Sequence, residues 1–325
     1  MSFFTVEHAP ARLNRSELAV PGSQPALFEK ATKSAADVVF LDLEDAVSPE
    51  DKPQARKNVI AAIGDIDWGM KTLSVRINGL DTSFMYRDVV DILEQSSERL
   101  DLLMIPKVGT AADVYALDML CTQIEGARNR RKRVGFELII ETALGMENIG
   151  AIAGASKRNE SLHFGVADFA ASTRARTTAI GGANADYAIL TEPDQQGRRE
   201  LHWNDMWHYA LARIVVASRA NGLRPIDGPF GDFSDADGFR AAARRAAALG
   251  CEGKWAIHPS QVEIANVTMS PSDAELVRAR RILAAMDAAA KAGRGAVSLD
   301  GKLIDYASIR QAEVLVRKAD QIAGR

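Results

Sequence analysis

The chain has 325 residues, of which 47% are hydrophobic and 26% are charged, and its formal net charge is −3. This is the composition of a soluble globular protein with ample material for a core, and the lack of a basic excess argues against nucleic-acid binding. Cys121 and Cys251 show no disulfide or zinc-site spacing, so we expect free thiols and a cytoplasmic location. Residues 1–10 lack a leader pattern and no apolar run is long enough to span a membrane, so we expect no membrane association.

Short apolar segments alternate with helical patterns along most of the chain. The predicted strands are Ser16–Val20, Val38–Leu41, Leu73–Gly79, Leu102–Lys107, Gly135–Thr142, Leu162–Asp168, Leu223–Ile226 and Lys254–Ile257. The predicted helices between them are Pro25–Ser34, Pro49–Ile63, Tyr86–Gln95, Ala111–Ala127, Gly145–Ser156, Asn204–Asn221 and Asp235–Leu249. Residues 169–199 read as a long irregular stretch, and such loops are more often functional than idle.

Strands that alternate with helices in this way predict a closed (β/α)8 TIM barrel, because right-handed crossovers bring the strands side by side in one parallel sheet. A doubly wound open sheet is the alternative, but no GxGxxG follows the first strand.

A small module follows the predicted barrel. Its predicted elements are a helix over Pro271–Lys291, a hairpin over Val297–Asp305 that turns at Asp300-Gly301, and a helix over Ala307–Ala323. We therefore divide the chain into a catalytic barrel (1–268), a linker helix (269–295) and a mobile helical and hairpin lid (296–325).

Polar residues collect where the predicted strands end, which in a TIM barrel is the edge that carries the active site. They are Asp42, Glu44, Asp45, Arg76, Lys107, Glu141, Asp168, Asp227 and His258. Glu141 and Asp168 end neighbouring strands, and two such acids favour a shared cation or a shared proton. Oxygen ligands indicate Mg²⁺ rather than Zn²⁺. Alternatively, either acid caps the helix that follows it.

A cation at these acids, with Arg76 opposite, suits a small 2-oxo acid or its 2-hydroxy product, and Arg76 can stabilise an oxyanion during aldol-type chemistry. The structural alternative for Arg76 is an ion pair with Glu44 or Asp45. Lys107 could act as a Schiff-base nucleophile, but a lysine among acids keeps its proton, so we expect it to form a salt bridge.

Several ordered motifs resemble the citrate lyase β-subunit-like (HpcH/HpaI aldolase) superfamily across nearly the whole chain. They are Arg15-Ser16-x-Leu18-x-Val20-Pro21-Gly22, Leu41-Asp42-Leu43-Glu44-Asp45, Val75-Arg76-Ile77-Asn78, Ile105-Pro106-Lys107, Ile140-Glu141-Thr142, Gly165-x-Ala167-Asp168 and Ala256-Ile257-His258-Pro259. Residues 226–235 and Gly253-Lys254-Trp255 are similar to the malyl-CoA lyase branch.

The resemblance implies roles for individual residues. Glu141 and Asp168 match magnesium ligands, with Glu44 and Asp45 surrounding them, and Arg76 matches the contact to the substrate and the enolate oxygen. Asp305 matches an acid/base residue that reaches the adjacent subunit's active site from the lid. The backbone around Ala167 matches the glyoxylate site, and Ile140 is among the positions implied for binding substrate or coenzyme A. The positions implied for coenzyme A are Lys30, Ile257 and His258, together with Ala19 and Gln24, where some relatives have an aromatic residue and an arginine.

The implied activity is a reversible, Mg²⁺-dependent Claisen-type cleavage of L-malyl-CoA to acetyl-CoA and glyoxylate, with β-methylmalyl-CoA as a further substrate. Mn²⁺ is expected to substitute for Mg²⁺, and the implied assembly is a homotrimer or a dimer of trimers. The alternatives are a malyl-CoA thioesterase, a citramalyl-CoA lyase and a non-catalytic paralogue that binds coenzyme A.

Overall fold

The computed structural model describes residues 6–324, in a chain that divides into two compact units, Met1–Asn266 and Val267–Arg325. Residues 1–5 and residue 325 fall within the predicted barrel and lid ranges but lie outside the described residues. The role of residues 296–325 as a lid for a neighbouring subunit stays a prediction.

Parallel strands of the first unit close into a barrel, which confirms the predicted fold. The strands of the chain are β1 (Ser16–Pro21), β2 (Val38–Asp42), β3 (Thr72–Arg76), β4 (Leu102–Ile105), β5 (Gly135–Ile140), β6 (Asn159–Phe164), β7 (Ala188–Leu190), β8 (Leu201–Trp203), β9 (Arg224–Asp227), β10 (Gly253–Ala256), β11 (Val297–Leu299) and β12 (Lys302–Ile304). The order around the barrel is β1-β10-β9-β6-β5-β4-β3-β2. Because all eight strands run the same way, their carboxyl ends share one rim.

Helices alternate with the strands along most of the chain. Their bounds are α1 (Phe28–Thr32), α2 (Lys52–Asp65), α3 (Met85–Gln95), α4 (Ala111–Ala127), α5 (Ala143–Glu147), α6 (Ile149–Ala153), α7 (Val166–Thr173), α8 (His208–Ala220), α9 (Ala236–Leu249), α10 (Pro259–Met269), α11 (Asp273–Lys291) and α12 (Tyr306–Ala323), with a 3₁₀ turn at Pro25–Leu27. Among residues 6–324, none of these helices has both the length and the apolar character that a membrane span requires.

The barrel interior is filled by side chains from several strands. One buried cluster consists of Phe40, Met104, Ile139, Ile226 and Trp255. Each of these residues lies inside one of the strands β2, β4, β5, β9 and β10, so the cluster ties the sheet together across its lumen.

The sixth predicted strand is wrong at both ends. It was expected over Leu162–Asp168, but β6 ends at Phe164 and Gly165 is the residue before helix α7. Val166 and Ala167, which continue the apolar run, are the first two residues of that helix. The stretch predicted to be irregular over residues 169–199 therefore begins inside α7. It also contains β7, which pairs with β8 just beyond it.

Several helices differ from their predictions. Helix α2 begins at Lys52 rather than Pro49, because Ser48 to Asp51 form a turn in which the Asp51 N–H donates to the Ser48 carbonyl. The helix predicted over Gly145–Ser156 is two short helices joined at Asn148. Helix α10, which follows His258, was not predicted at all.

The second unit contains two long helices and a hairpin, as the sequence indicated. Strands β11 and β12 pair antiparallel, and Asp300 and Gly301 at the turn have φ values of 52° and 73°. Positive φ at both central residues is the geometry that an Asp-Gly hairpin turn adopts. Helix α11 begins with a capping box formed by Ser272 and Glu275.

Candidate active site

Glu141 lies directly after β5 at the carboxyl rim of the barrel, and its side chain is buried. Its position depends on Gly165, which follows the neighbouring strand β6. A Cβ atom added to Gly165 would come within 2.1 Å of Glu141 Oε2 and 2.4 Å of Glu141 Cβ. A glycine is therefore needed there for the carboxylate to pass this close to the adjacent chain.

Asp168 lies in the first turn of α7 and not at the end of a strand. The Gly165 N–H donates to the Ile140 carbonyl at 3.3 Å, which aligns the ends of β5 and β6. The helices after the two acids have other residues at their starts: Thr142 caps α5 by accepting from the Gly145 N–H, and Gly165 precedes α7. The alternative in which Glu141 or Asp168 occupies the N-cap position is therefore wrong.

The surroundings of Glu141 oppose a negative charge on its carboxyl group. Burial, together with the charges of Glu44 and Asp168, raises the pKa of Glu141 from 4.5 to about 8, and the charge of Arg76 only partly offsets this rise. A cation beside the carboxyl group would remove this penalty. Glu141 and Asp168 offer hard carboxylate oxygens, the ligand type that magnesium prefers. The residues present therefore fit a magnesium ion.

Lys107 holds Glu141 through its main chain. The Lys107 N–H donates to Glu141 Oε1 at 2.7 Å, and Lys107 has a φ of 54°, in the left-handed region that non-glycine residues seldom adopt. Its ammonium group donates to Glu44 Oε1. Burial lowers the pKa of Lys107, but the Glu44 contact raises it more, so the pKa lies above its usual range. A protonated ammonium group suits the salt bridge and not the Schiff-base role.

Arg76 ends β3 and is held by acids on three sides. Its Nε and Nη2 atoms donate to the two carboxylate oxygens of Asp42 at 2.7 and 2.6 Å, and Nη1 lies 2.8 Å from Glu44 Oε2 and 3.7 Å from Asp45 Oδ2. Burial lowers the pKa of Arg76, but Asp42 and Glu44 raise it more, so the group stays cationic. An ion pair with Glu44 or Asp45 was the structural alternative for Arg76, and the structure shows contacts with both acids. The bidentate contact with Asp42 was not predicted.

Two other groups of buried polar residues in the barrel have partners among themselves. Asp227, which was among the predicted rim residues, accepts from buried Lys254 at 2.6 Å, as a structural ion pair does. Among the described residues, Glu17, Glu137 and His163 bring potential ligand atoms within 4.8 Å of one another inside the barrel. Both ring nitrogens of His163 already have hydrogen-bond partners: Nε2 pairs with Ser161 Oγ, and Nδ1 accepts from the Trp255 indole N–H. We therefore assign this cluster to the core.

The residues predicted to contact coenzyme A lie in several environments. Gln24 and Lys30 are exposed, Ala19 packs against the core cluster, and the Ile257 N–H donates to Gln261 Oε1 at 2.9 Å. The exposed His258 ring stacks on Phe233 with ring centroids 4.9 Å apart. The sequence prediction missed Phe233, and the aromatic residue inside the otherwise polar stretch of residues 231–235 was the signal available.

Asp305 belongs to the second unit, where it is the N-cap residue of α12. Its Oδ1 atom accepts from the Ala307 N–H at 2.9 Å and from the Ser308 N–H at 3.2 Å. The residue is exposed. The cap fixes the orientation of a carboxyl group that is open to solvent.

A closed barrel with buried carboxylates and a cationic arginine at the carboxyl rim is the architecture of a barrel enzyme, whose active site lies at that rim. The chain belongs to the HpcH/HpaI aldolase/citrate lyase family, whose model matches residues 15–259.

Among its relatives, the chain is 58% identical to the L-malyl-CoA/beta-methylmalyl-CoA lyase of Rhodobacter capsulatus, over 98% of this chain and 99% of the relative. It is 34% identical to the (3S)-malyl-CoA thioesterase of Cereibacter sphaeroides, over 95% of each chain. Among solved structures, it is similar to the protein CitE of Mycobacterium tuberculosis in complex with magnesium, acetoacetate and coenzyme A. That similarity has a TM-score of 0.72 and 28% identity, and covers 95% of this chain and 98% of the other.

Proposed function

We propose that this protein is a carbon–carbon lyase that cleaves L-malyl-CoA reversibly to acetyl-CoA and glyoxylate, and that it also cleaves β-methylmalyl-CoA. The observation that carries the proposal is the position of Glu141, close to Gly165 and beside Asp168 and Arg76 at the barrel rim. The 58% identity to an L-malyl-CoA/beta-methylmalyl-CoA lyase over nearly the full length supports the substrate class.

Glu141 and Asp168 would hold the magnesium ion through their carboxylate oxygens. When bound, such an ion polarises the oxygen atoms of a 2-oxo acid and fixes their orientation. The Lys107 N–H keeps one oxygen of Glu141 in place. The main chain at the start of α7, around Ala167, presents N–H groups that suit the carboxylate of glyoxylate.

Arg76 would stabilise the negative charge that develops when the carbon–carbon bond breaks. In the cleavage direction the 2-hydroxyl group gives up its proton to a base in the solvent as its oxygen becomes the carbonyl oxygen of glyoxylate. The electron pair of the carbon–carbon bond then moves into the thioester, which becomes an enolate. The guanidinium remains cationic because Asp42 and Glu44 surround it, so its charge is available throughout the reaction. A fixed positive charge beside a developing oxyanion lowers the barrier more than mobile solvent does.

Asp305 would give a proton to the enolate carbon during cleavage and remove it during synthesis. We propose that it does so in the active site of an adjacent subunit, within a homotrimer or a dimer of trimers. Light scattering of the purified protein tests the assembly, since a monomer would contradict it. We further propose that Mn²⁺ replaces Mg²⁺ and that the protein is cytoplasmic, where its buried thiols Cys121 and Cys251 stay reduced.

The products formed from L-malyl-CoA separate the lyase from its rivals. Purified protein with Mg²⁺ should release glyoxylate, which phenylhydrazine traps as an absorbing hydrazone. Release of free malate and coenzyme A without glyoxylate would show a thioesterase instead. Citramalyl-CoA should be tested in parallel, because rapid pyruvate formation with slow glyoxylate formation would favour the citramalyl-CoA lyase.

Two variants test the site within the same assay. Glu141→Gln should lose nearly all lyase activity, because it removes a charged ligand while keeping the shape of the side chain. Asp227→Asn serves as the comparison, since Asp227 pairs with Lys254 and we assign it no contact with substrate. Full activity of Glu141→Gln would contradict the assignment of the metal site.

A further inference from the structure

Trp255 is buried in the barrel lumen close to the active-site arginine. It is the third residue of β10, is 5% exposed and belongs to the cluster with Phe40, Met104, Ile139 and Ile226. Its ring centroid lies 4.7 Å from that of Phe40. An indole in such a cluster contributes packing, but this ring also makes two contacts that packing does not require.

The first contact is a hydrogen bond at the edge of the ring. The Trp255 indole N–H donates to His163 Nδ1 at 2.9 Å, and His163 Nε2 lies 2.7 Å from Ser161 Oγ. Because an indole nitrogen can only donate, His163 Nδ1 carries no proton in this arrangement. The hydrogen bond therefore fixes the rotation of the Trp255 ring in the lumen.

The second contact is with Arg76. Its guanidinium carbon lies 5.7 Å from the centroid of the Trp255 ring. Asp42 holds the guanidinium through two parallel hydrogen bonds in the guanidinium plane, and Glu44 contacts a third nitrogen. These acids attract the cation but do not stop it from tilting out of its plane, whereas an aromatic ring within about 6 Å both attracts the cation and blocks such a movement.

We propose that Trp255 is a positioning residue, oriented by His163, that holds the Arg76 guanidinium at the angle needed to meet the developing enolate oxygen. This inference rests on the proposed lyase function. A displacement of about 1 Å at a charge-stabilising group can lower a rate substantially, because the stabilisation depends on alignment in the transition state. Trp255 thus acts on the reaction through Arg76, without touching substrate.

Trp255→Phe removes the indole N–H and reduces the aromatic face while keeping an apolar ring. We expect kcat for glyoxylate release to fall about 3- to 30-fold, the range that a lost cation–π contact corresponds to. The KM for malyl-CoA and the magnesium concentration for half-maximal activity should change less than about twofold. The matched control is Phe40→Leu, which truncates an aromatic ring of the same cluster and should leave kcat within about twofold. An unchanged kcat in Trp255→Phe, or an equal loss in Phe40→Leu, would overturn the inference.

A double-mutant cycle asks whether the effect passes through Arg76. In an Arg76→Lys background the planar guanidinium is already gone, so adding Trp255→Phe should lower the residual kcat by less than about twofold. If the two effects multiply fully, Trp255 acts independently of Arg76 and the inference fails.

A spectroscopic measurement keeps this inference separate from the proposed reaction. The Nε–H resonance of Arg76, identified by its absence in Arg76→Lys, should move in Trp255→Phe because it loses the ring current, and should stay in place in Phe40→Leu. An unmoved resonance would refute the contact whatever the substrate is. A wild-type protein that releases no glyoxylate from malyl-CoA would refute the proposed function, while a shifted resonance would still support the positioning of Arg76.

Discussion

Gly165→Ala is the smallest change that should disable the proposed metal site. The added methyl group would lie 2.1 Å from Glu141 Oε2, 2.4 Å from Glu141 Cβ and 2.9 Å from Ile139 Cγ2. An ordinary contact between such atoms is about 3.5 Å, so the Glu141 side chain has to move by roughly 1 Å or more. That movement would break the 2.7 Å hydrogen bond from the Lys107 N–H.

The expected magnitudes follow from this clash. Overpacking of this kind destabilises a protein by about 1–3 kcal/mol, which corresponds to a lower melting temperature by roughly 2–10 °C for a barrel of this size. The loss of aligned ligation should raise the magnesium concentration for half-maximal activity about 10-fold or more, and kcat should fall as much as about 100-fold.

The assay combines calorimetric melting with magnesium titrations of glyoxylate release. Gly126→Ala is the control, because Gly126 lies within α4 and an added Cβ there meets nothing within 4 Å. That variant should keep wild-type kinetics and melt at an equal or higher temperature, since alanine favours the helix. Wild-type magnesium dependence in Gly165→Ala would refute the reasoning.

Four further predictions concern other groups. Asp305→Asn keeps a helix-capping side chain but removes the carboxylic acid, so kcat should fall at least about 100-fold with little change in melting temperature. Asp305→Ser, which also caps the helix, should lose activity in the same way. An active Asp305→Asn would exclude the acid/base role. Mixing Asp305→Asn with Arg76→Ala subunits should restore up to about one quarter of wild-type activity if sites are shared, and no recovery would indicate self-sufficient subunits. Borohydride added with substrate should not inactivate the enzyme, because Lys107 is held protonated by Glu44, and inactivation by reductive trapping would favour the Schiff-base alternative. Burial and the charge of Glu137 raise the pKa of Glu17 from 4.5 to about 8, so the wild type should lose stability as pH rises through that interval. The free energy of unfolding, measured with urea at several pH values, should fall less steeply with pH in Glu17→Gln. Equal slopes for the two proteins would contradict the buried proton.

The sign of the last prediction follows from proton binding. Between pH 4.5 and about 8 the folded protein keeps a proton on Glu17 that the unfolded chain has released. Stability from this group is therefore complete below the unfolded pKa and is lost as pH approaches the folded pKa, with a slope of at most about 1.4 kcal/mol per pH unit.

The parts of the fold that sequence predicted best carry local signals. Helix α4 was predicted at its observed bounds, and Thr110 and Asp113 form a capping box at its start. The hairpin of β11 and β12 was found through Asp300-Gly301, whose backbone adopts the turn geometry that this dipeptide favours. In both cases residues close in sequence determine the structure.

The errors arise where an apolar run crosses a boundary between elements. Val166 and Ala167 continue the hydrophobic pattern of β6, but they belong to the first turn of α7. The chain leaves the strand at Gly165, where the side chain of Glu141 approaches it closely. The site, like the fold, was predicted only where the signal is local. Its residue types could be read from the ends of the strands, whereas the pairing of Arg76 with Asp42 depends on the register of β2 against β3 and the contact of Trp255 with His163 depends on the closed barrel.

The central claim is that Glu141 and Asp168 together hold a magnesium ion beside Arg76. A crystal structure of the protein grown with Mg²⁺ and glyoxylate tests it most directly. The account predicts octahedral density with metal–oxygen distances of about 2.0–2.1 Å to both carboxylates and to oxygen atoms of glyoxylate. Magnesium found instead among Glu17, Glu137 and His163, or glyoxylate bound without any ion at Glu141, would contradict it.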